Sequence, residues 1–187
     1  MKMTNIQKLT AKLPKENYCA LITSDINRRY FCGMKSSAGT VLVFPDAAYL
    51  LIDFRYFEKA GEIVTDCEVV LMKQYTKQLN ELMAKHHTEK VYIEAETMTV
   101  ADLNMLNERL ENVTIDPSGL LSKAIGEIRS VKTPEELEKM QRAQDIADGA
   151  FRFVMETLIE EDVTELEIGR ALDFYMLSHG AECVSFD

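Results

Sequence analysis

Residues 133–180 have the sequence TPEELEKMQRAQDIADGAFRFVMETLIEEDVTELEIGRALDFYMLSHG, which predicts two consecutive amphipathic helices. Thr133 is a typical N-cap residue, followed by proline at the first helical position and Glu136 at the third. Thr164 and Glu167 repeat this capping pattern, and Gly180 follows the last turn of the second helix. Apolar residues recur every three, four or seven positions and therefore share one face of each helix: Leu137, Met140, Ala147, Phe151, Val154 and Leu158, then Ile168, Leu172 and Tyr175.

These two helices need further apolar surface to cover. Residues 181–186 predict a short strand, and the sequence ends at Asp187. Because a helix buries its apolar face against another layer, we expect this segment to begin a second domain whose remainder lies beyond residue 187. The uncovered stripe predicts self-association through residues 133–179, or packing of these helices on the N-terminal domain.

The first 130 residues alternate short apolar runs with helical patterns of about a dozen residues. Two of the apolar runs are joined by Pro45, Asp46 and Ala47, which predicts a β-hairpin. This alternation predicts an α/β domain with a mixed sheet and helices on its faces. We place the domain boundary near Ser130, which gives domains 1–130 and 131–187. The predicted strands are 18–23, 40–44, 48–52, 67–72, 91–94 and 113–116.

Composition excludes several classes of function. The chain has 31 acidic and 21 basic residues, a formal net charge of -10, which argues against a nucleic-acid partner. No apolar run approaches the roughly 20 residues that span a bilayer, and the N-terminus lacks a secretory apolar core. We therefore expect a cytoplasmic location and no membrane partner. The cysteines, which occur in no CxxC pair, are interpreted as reduced, small apolar residues: Cys19, Cys32, Cys67 and Cys183.

Residues 128–136, IRSVKTPEE, resemble the opening of the pita-bread catalytic domain of Xaa-Pro aminopeptidases and prolidases. These enzymes form part of the creatinase and methionine-aminopeptidase superfamily. Further short segments agree with the family in order and spacing: 143–148, 164–168, 180–182 and 185–187. In the first domain, residues 27–33 and 53–56 resemble segments of the creatinase-type N-terminal domain. The resemblance thus extends over essentially the whole chain.

The resemblance implies a hydrolase that cleaves the bond before proline, with a peptide bearing proline at its second position as substrate. It also implies two divalent metal ions, usually manganese, and a homo-oligomer. In that family the metal ligands follow the motif that residues 185–187 match, and Asp187 precedes the first of them. We therefore assign no catalytic residue and no metal ligand, and expect the chain alone to be inactive. The alternative is a non-catalytic creatinase-like binding or scaffold module.

Three arginines are candidates for contact with substrate. Arg28, Arg29 and Arg55 could bind a carboxylate, because a guanidinium group matches its geometry. In the resembling enzymes this end of the N-terminal domain can lie near an active-site mouth. The alternative interpretation of all three is ion pairing within the domain.

The remaining polar candidates have simpler interpretations. His86 and His87 are adjacent, so their side chains diverge by about 100° on a helix and cannot share one metal as i, i+4 ligands do. We interpret the pair, and likewise His179, as solvated helix ends. Glu94 and Glu96 could form a carboxylate pair, but we interpret them as two exposed charges at a strand end.

Overall fold

The computed structural model describes residues 3–157 and 162–184 of the chain. The chain divides into two units, Met1–Ser130 and Val131–Asp187. The first unit contains a six-stranded sheet. Its elements follow one another as α1 (Asn5–Lys12), β1 (Tyr18–Ile22), α2 (Asp25–Cys32), β2 (Thr40–Val43), β3 (Ala48–Ile52), α3 (Phe54–Ile63), β4 (Glu68–Leu71), α4 (Tyr75–Lys85), β5 (Lys90–Ile93), α5 (Val100–Arg109), β6 (Thr114–Asp116) and α6 (Leu120–Ser130).

The strands lie in the order β4-β3-β2-β1-β5-β6. Strand β2 is antiparallel to both of its neighbours, with Leu21 opposite Leu42 and Leu42 opposite Tyr49. The other neighbouring pairs, β3 with β4, β1 with β5 and β5 with β6, are parallel. The predicted α/β class with a mixed sheet is therefore confirmed.

Each face of the sheet has its own apolar core. Successive side chains of a strand point to opposite faces, so Tyr18, Ala20 and Ile22 of β1 join one cluster while Cys19 and Leu21 join the other. The first cluster includes residues of α1, α2, α3 and α6. The second includes residues of α4 and α5. All five residues of β1 are buried, which explains its continuous apolar sequence.

The second unit contains α7 (Pro134–Thr157) and α8 (Glu165–Ser178). The predicted capping pattern is present at α7, where Glu136 N–H donates to Thr133 Oγ1 (3.2 Å) and Thr133 N–H donates to the Glu136 carboxylate (2.7 Å). A capping box also precedes α8, between Thr164 and Glu167. Tyr175 of α8 stacks on Phe153 of α7, with ring centroids 5.4 Å apart.

Much of the apolar stripe predicted for these helices is accessible. Leu137 is 54% exposed and Phe151 is 64% exposed, whereas Ala150 and Val154 are buried. On α8, Leu166, Phe174 and Leu177 are more than half exposed. Leu158 lies outside the described residues. Among the described residues, the stripe is therefore largely accessible.

The predicted strand after α8 is wrong over the part that the structure describes. Residues 181–184 form no strand, although Ala181 N–H donates to the Met176 carbonyl oxygen (3.0 Å). Gly180 has φ +98°, so the chain leaves the helix through a left-handed residue and a hydrogen-bonded turn. An apolar sequence after a glycine does not make a strand unless another strand pairs with it. Residues 185–187, including Asp187, lie outside the described part.

Candidate functional site

The carboxyl ends of five strands meet at one edge of the sheet, because only β2 is antiparallel to its neighbours. Strands β1 and β5 are neighbours in the centre of the sheet. The chain continues from β1 to β2 on one side and from β5 to β6 on the other. Such a reversal of strand order is where open α/β sheets commonly bind ligands. Thr23, Ser24 and Glu94 follow these two strands directly.

Glu94 is buried at this edge, at 1% exposed, so its interpretation as an exposed charge is wrong. Oε2 accepts from the backbone N–H groups of Thr23 (2.6 Å) and Ser24 (2.8 Å). Oε1 accepts from the Ser24 hydroxyl (2.7 Å) and from the Asn27 amide (2.6 Å). Glu96 is exposed. The carboxylate therefore occupies the N-terminus of α2, where the helix dipole favours a negative charge.

Arg28 is 2% exposed and, like Glu94, hydrogen-bonds to the backbone of Thr23. Its Nε donates to the Ser36 hydroxyl (2.9 Å) and its Nη1 to the carbonyl oxygens of Thr23 (2.8 Å) and Gly39 (3.0 Å). Its Nη2 donates to Asp25 Oδ1 (2.5 Å) and to the Ser36 carbonyl oxygen (2.6 Å). These contacts use all five donors of the guanidinium group. Arg28 has no donor left for a substrate carboxylate, which favours the intradomain interpretation.

Arg55 is more accessible than Arg28, with 54% of its side chain exposed. Its Nη2 donates to Asp53 Oδ2 (2.5 Å), and its Nε donates to both carboxylate oxygens of the same residue. This hydrogen bonding to Arg55 lowers the pKa of Asp53. The guanidinium also lies over the Tyr56 ring, 5.3 Å from its centroid. Arg29 is exposed on α2.

The loop between α2 and β2 contacts both buried Arg28 and Tyr56, the chain neighbour of exposed Arg55. Ser36 binds Arg28, while the hydroxyl of Ser37 lies 2.9 Å from that of Tyr56. The hydrogen bond with Ser37 lowers the pKa of Tyr56. Gly39 has φ +123°, and a Cβ there would lie 3.0 Å from the Leu51 carbonyl oxygen, so this close approach requires glycine.

A second polar cluster surrounds His86, whose interpretation as a solvated helix end is wrong. Its side chain is 7% exposed and stacks on Phe44, with ring centroids 4.3 Å apart. Nδ1 lies 2.8 Å from Asp46 Oδ1, and Nε2 lies 2.9 Å from the Tyr49 hydroxyl. Lys85 Nζ donates to the same hydroxyl (2.9 Å). His86 thus fixes the end of α4 to the β2–β3 hairpin, whereas His87 and His179 are exposed.

Sequence reasoning missed the partners in both clusters. Ser36, Tyr49 and Lys85 carry no motif, and their roles depend on which strands lie side by side. A usable signal existed at the sheet edge alone, since Ser24 and Glu94 each follow an apolar run directly. Polar residues at the ends of two strands are informative only when the strands are known to be neighbours.

The two buried charged groups at the sheet edge have their hydrogen-bond partners within the domain. The Glu94 carboxylate and the Arg28 guanidinium are both hydrogen-bonded to their own domain, so neither can bind a substrate without breaking those bonds. Within residues 3–157 and 162–184, no group of three His, Cys, Asp or Glu side chains could hold a metal ion. The described residues therefore do not fit the paired metals that the family resemblance implies. No helix among them is both long and apolar enough to cross a bilayer.

Comparisons with known proteins all point to one family. Residues 5–131 match the model of the creatinase/prolidase N-terminal domain. Over its whole length the chain is 28% identical to an uncharacterized peptidase, YqhT, of Bacillus subtilis, of which it covers 52%. The chain thus spans about half the length of the curated relatives it matches.

Solved structures agree with this assignment. An Xaa-Pro dipeptidase from Bacillus anthracis superposes on 97% of this chain and 50% of its own length, with a TM-score of 0.88 and 27% identity. The N-terminal domain of the cytoplasmic peptidase PepQ from Mycobacterium tuberculosis covers 63% of this chain and 95% of its own, with a TM-score of 0.55 and 29% identity. The family match covers more than half of the chain and the fold agrees with it, and the chain therefore belongs to the creatinase/prolidase N-terminal domain family.

Proposed function

We propose that this chain is the N-terminal portion of a metal-dependent Xaa-Pro peptidase that cleaves the bond before proline. The observation that supports the proposal most directly is the likeness to the Bacillus anthracis Xaa-Pro dipeptidase. That likeness covers nearly all of this chain but only half of the dipeptidase. The chemistry of the whole protein would then depend on residues that follow Asp187.

In this proposal the chain contributes a framework rather than reacting groups. Its six-stranded unit holds two buried charged residues, Glu94 and Arg28, whose hydrogen-bonding groups are taken up within the unit. Two divalent metal ions, with manganese as the expected metal, would be held by carboxylates and imidazoles outside this chain. The substrate would be a peptide with proline at its second position. We expect the 187-residue chain alone to be inactive.

The proposal includes a homo-oligomer and a cytoplasmic location. Exposed apolar side chains on α7 and α8, including Phe151 and Phe174, support association. The Mycobacterium tuberculosis relative is named as a cytoplasmic peptidase, which supports the location.

The test is an activity assay on two forms of the protein. The 187-residue chain, incubated with Mn²⁺ and Xaa-Pro dipeptides and tripeptides, should release proline or the N-terminal residue no faster than a blank. The coding sequence should continue past the codon for Asp187 into metal-ligand motifs, and the full-length product should hydrolyse the same peptides with Mn²⁺.

Two outcomes would contradict the proposal. A rate from the 187-residue chain that a chelator abolishes would show that the chain holds a complete site. A stop codon directly after Asp187 would instead favour the non-catalytic scaffold, and binding partners of the chain would then be sought.

A further inference from the structure

A row of four hydrogen-bonding side chains joins the end of α4 to the β2–β3 hairpin. Lys85 Nζ donates to the Tyr49 hydroxyl oxygen (2.9 Å), which lies 2.9 Å from His86 Nε2. His86 Nδ1 in turn lies 2.8 Å from Asp46 Oδ1. Phe44 stacks on the imidazole, and the His86 side chain is 7% exposed. The ring is therefore held at both of its nitrogens and on one face.

The contact with Asp46 fixes which nitrogen of the neutral imidazole carries the proton. An ionised carboxylate has only acceptors, so Nδ1 must carry the proton and donate it to Asp46 Oδ1 across the 2.8 Å contact. In the neutral ring Nε2 is then an acceptor, and the Tyr49 hydroxyl donates to it. The Tyr49 oxygen accepts from Lys85, because an ammonium group can only donate. All three contacts are thus hydrogen bonds when His86 is neutral.

Charged groups on three elements surround this row. The hydrogen bond to Tyr49 raises the pKa of Lys85, and the negative charges of Glu68 and Asp46 act in the same direction. Glu68 begins β4 and lies opposite Tyr49 in the parallel register of β3 and β4. Beyond the end of α4, His87 is exposed. Lys85 therefore keeps its positive charge throughout the pH range in which histidine ordinarily titrates.

A second proton on His86 reverses one of these hydrogen bonds. An imidazolium donates from both nitrogens, so Nε2–H and the Lys85 ammonium are then both directed at the Tyr49 oxygen. The hydroxyl proton of Tyr49 loses its acceptor, and two positive charges that share one contact atom repel each other. The ion pair with Asp46 offsets little of this repulsion, because the Asp46 side chain is 72% exposed and water screens the pair. Lys85 is exposed and can relieve the repulsion by moving into solvent.

We propose that these four side chains form a pH-sensitive latch between α4 and the hairpin, closed when His86 is neutral and weakened when it is protonated. Histidine ordinarily changes its charge between about pH 5 and pH 8, so the latch responds within that range. In the closed state the latch fixes the last turn of α4 to the hairpin. In the weakened state Lys85 leaves Tyr49 for solvent, and this turn opens more often. The change is local, and the six-stranded sheet stays folded.

Nuclear magnetic resonance of the 187-residue chain tests the proton assignment first. The chain has three histidines, which single substitutions assign, and the nitrogen chemical shifts of each imidazole report which nitrogen is protonated. At about pH 7.5 we expect His86 in the Nδ1–H form, whereas the exposed His87 should show a mixture of the two neutral forms.

Amide hydrogen exchange, corrected for the intrinsic effect of pH, then tests the latch. The backbone N–H groups of His86 and Thr88 donate to the carbonyl oxygens of Leu82 and Met83. Their protection should fall about tenfold between about pH 7.5 and pH 5, because the hydrogen bond that anchors the charged lysine is lost. Amides of the central strands should keep their protection over the same range.

Two variants separate the latch from the general effect of acid. Lys85→Met removes the ammonium group, so Tyr49 can accept from a protonated His86 without repulsion. Protection in this variant should change by no more than about twofold over the same range. His87→Asn replaces the exposed neighbour at φ +50°, a conformation that asparagine tolerates, and should behave as the wild type does.

Several results would overturn the proposal. One is an Nε2–H form of neutral His86 at about pH 7.5, and another is an imidazole that stays neutral at about pH 5. Unchanged protection in the wild type, once the same spectra show His86 protonated, would also contradict the latch. These readouts use the wild-type protein, so they stand even if a variant does not fold. An equal loss of protection in Lys85→Met and the wild type would contradict the role of the ammonium group.

Discussion

Glu94 and Arg28 are charged side chains that the sheet edge buries at 1% and 2% exposure. A buried charge is costly unless hydrogen bonds replace the lost water. Here the replacement is complete for the guanidinium, and the carboxylate accepts at least two hydrogen bonds on each oxygen. Arg129 extends the network, since its Nη1 donates to Asn27 Oδ1 (2.8 Å). The network ties β1, β5 and the ends of α2 and α6 together.

Glu94→Gln should destabilise the first unit by about 2–4 kcal/mol, because an amide group would turn donors toward the donors of Ser24 and Asn27. The matched control is Glu96→Gln, which changes an exposed residue two positions later and should alter stability by no more than about 0.5 kcal/mol. Urea denaturation followed by circular dichroism gives both values. Equal effects of the two substitutions would show that the buried carboxylate is not needed.

Arg28→Lys should cost about 3 kcal/mol, although it keeps the positive charge. Lysine has three donors on one nitrogen and cannot reach the five acceptors that the guanidinium group satisfies. Arg109→Lys, at an exposed position in the last turn of α5, is the control and should be nearly neutral. The same urea titration compares the two variants. If Arg28→Lys left the free energy of unfolding nearly unchanged, the five hydrogen bonds of the guanidinium group would not be needed for stability.

At the scale of elements, the contact between α7 and α8 depends on a glycine. A Cβ on Gly149 would lie 2.8 Å from the Tyr175 hydroxyl and 3.2 Å from its ring. Tyr175 is held between Phe153 and His179, whose ring centroids lie 5.4 Å and 3.8 Å from its own. The ring therefore cannot move aside without losing these stacking contacts. Close approach of the two helices thus requires that position 149 carry no side chain.

Gly149→Ala and Gly169→Ala should have different effects on the helix pair. Alanine favours a helix over glycine by about 0.5–1 kcal/mol, and a Cβ on Gly169 meets nothing within 4 Å, so that variant should stabilise α8. At Gly149 the overlap with Tyr175 should cancel or exceed the same gain. Amide hydrogen exchange over residues 134–157 and 165–178 measures both variants. Equal protection in the two would exclude the overlap.

For the whole molecule, hydrogen bonds hold the pKa values of several carboxylates below their ordinary range. Their main partners are Tyr92, Arg55, Ser118, Lys12 and the Thr164 backbone, which act respectively on Glu16, Asp53, Asp116, Glu127 and Glu167. A carboxylate with a lowered folded-state pKa contributes stability above its unfolded pKa. That contribution is lost as the pH falls through the folded value.

The melting temperature should therefore stay nearly level from pH 7 to about pH 5 and fall below about pH 4, where these carboxylates bind protons. Combining Glu16→Gln with Glu127→Gln should lower stability at neutral pH and make the acid decline shallower. Glu108→Gln, at an exposed position on α5, should leave the curve unchanged. Differential scanning calorimetry across this range is the measurement. An equally steep decline in the double variant would assign the acid sensitivity to other groups.

The two units should differ in their ability to fold alone. Residues 1–130 contain both apolar cores of the sheet, and a relative's N-terminal domain has been crystallised separately. We expect this segment to unfold cooperatively with the same urea midpoint as the first unit of the whole chain. Residues 131–187 should not unfold cooperatively on their own, because only Ala150 and Val154 are buried among the described residues of α7 and α8. Circular dichroism of the two separate segments tests both expectations.

The sequence alone determined the elements of the fold and the family. Alternating apolar runs and helical spacing are local patterns, so the six strands and the helices between them could be located from neighbouring residues. The capping residues Thr133 and Thr164 act within one turn and were recognised for the same reason. The predicted strand after Gly180 failed because a strand depends on a pairing partner, which no local pattern supplies.

Only the tertiary structure decided which polar and sulfur-bearing side chains meet. Glu94 and His86 were interpreted as solvated, yet the parallel pairing of β1 with β5 buries the first, and the hairpin covers the second. Cys32 and Cys67 join the same apolar cluster although an entire hairpin and a helix separate them along the chain. Burial and proximity between distant residues follow from strand order and helix packing. Those depend on the free energy of the whole core rather than on any short segment.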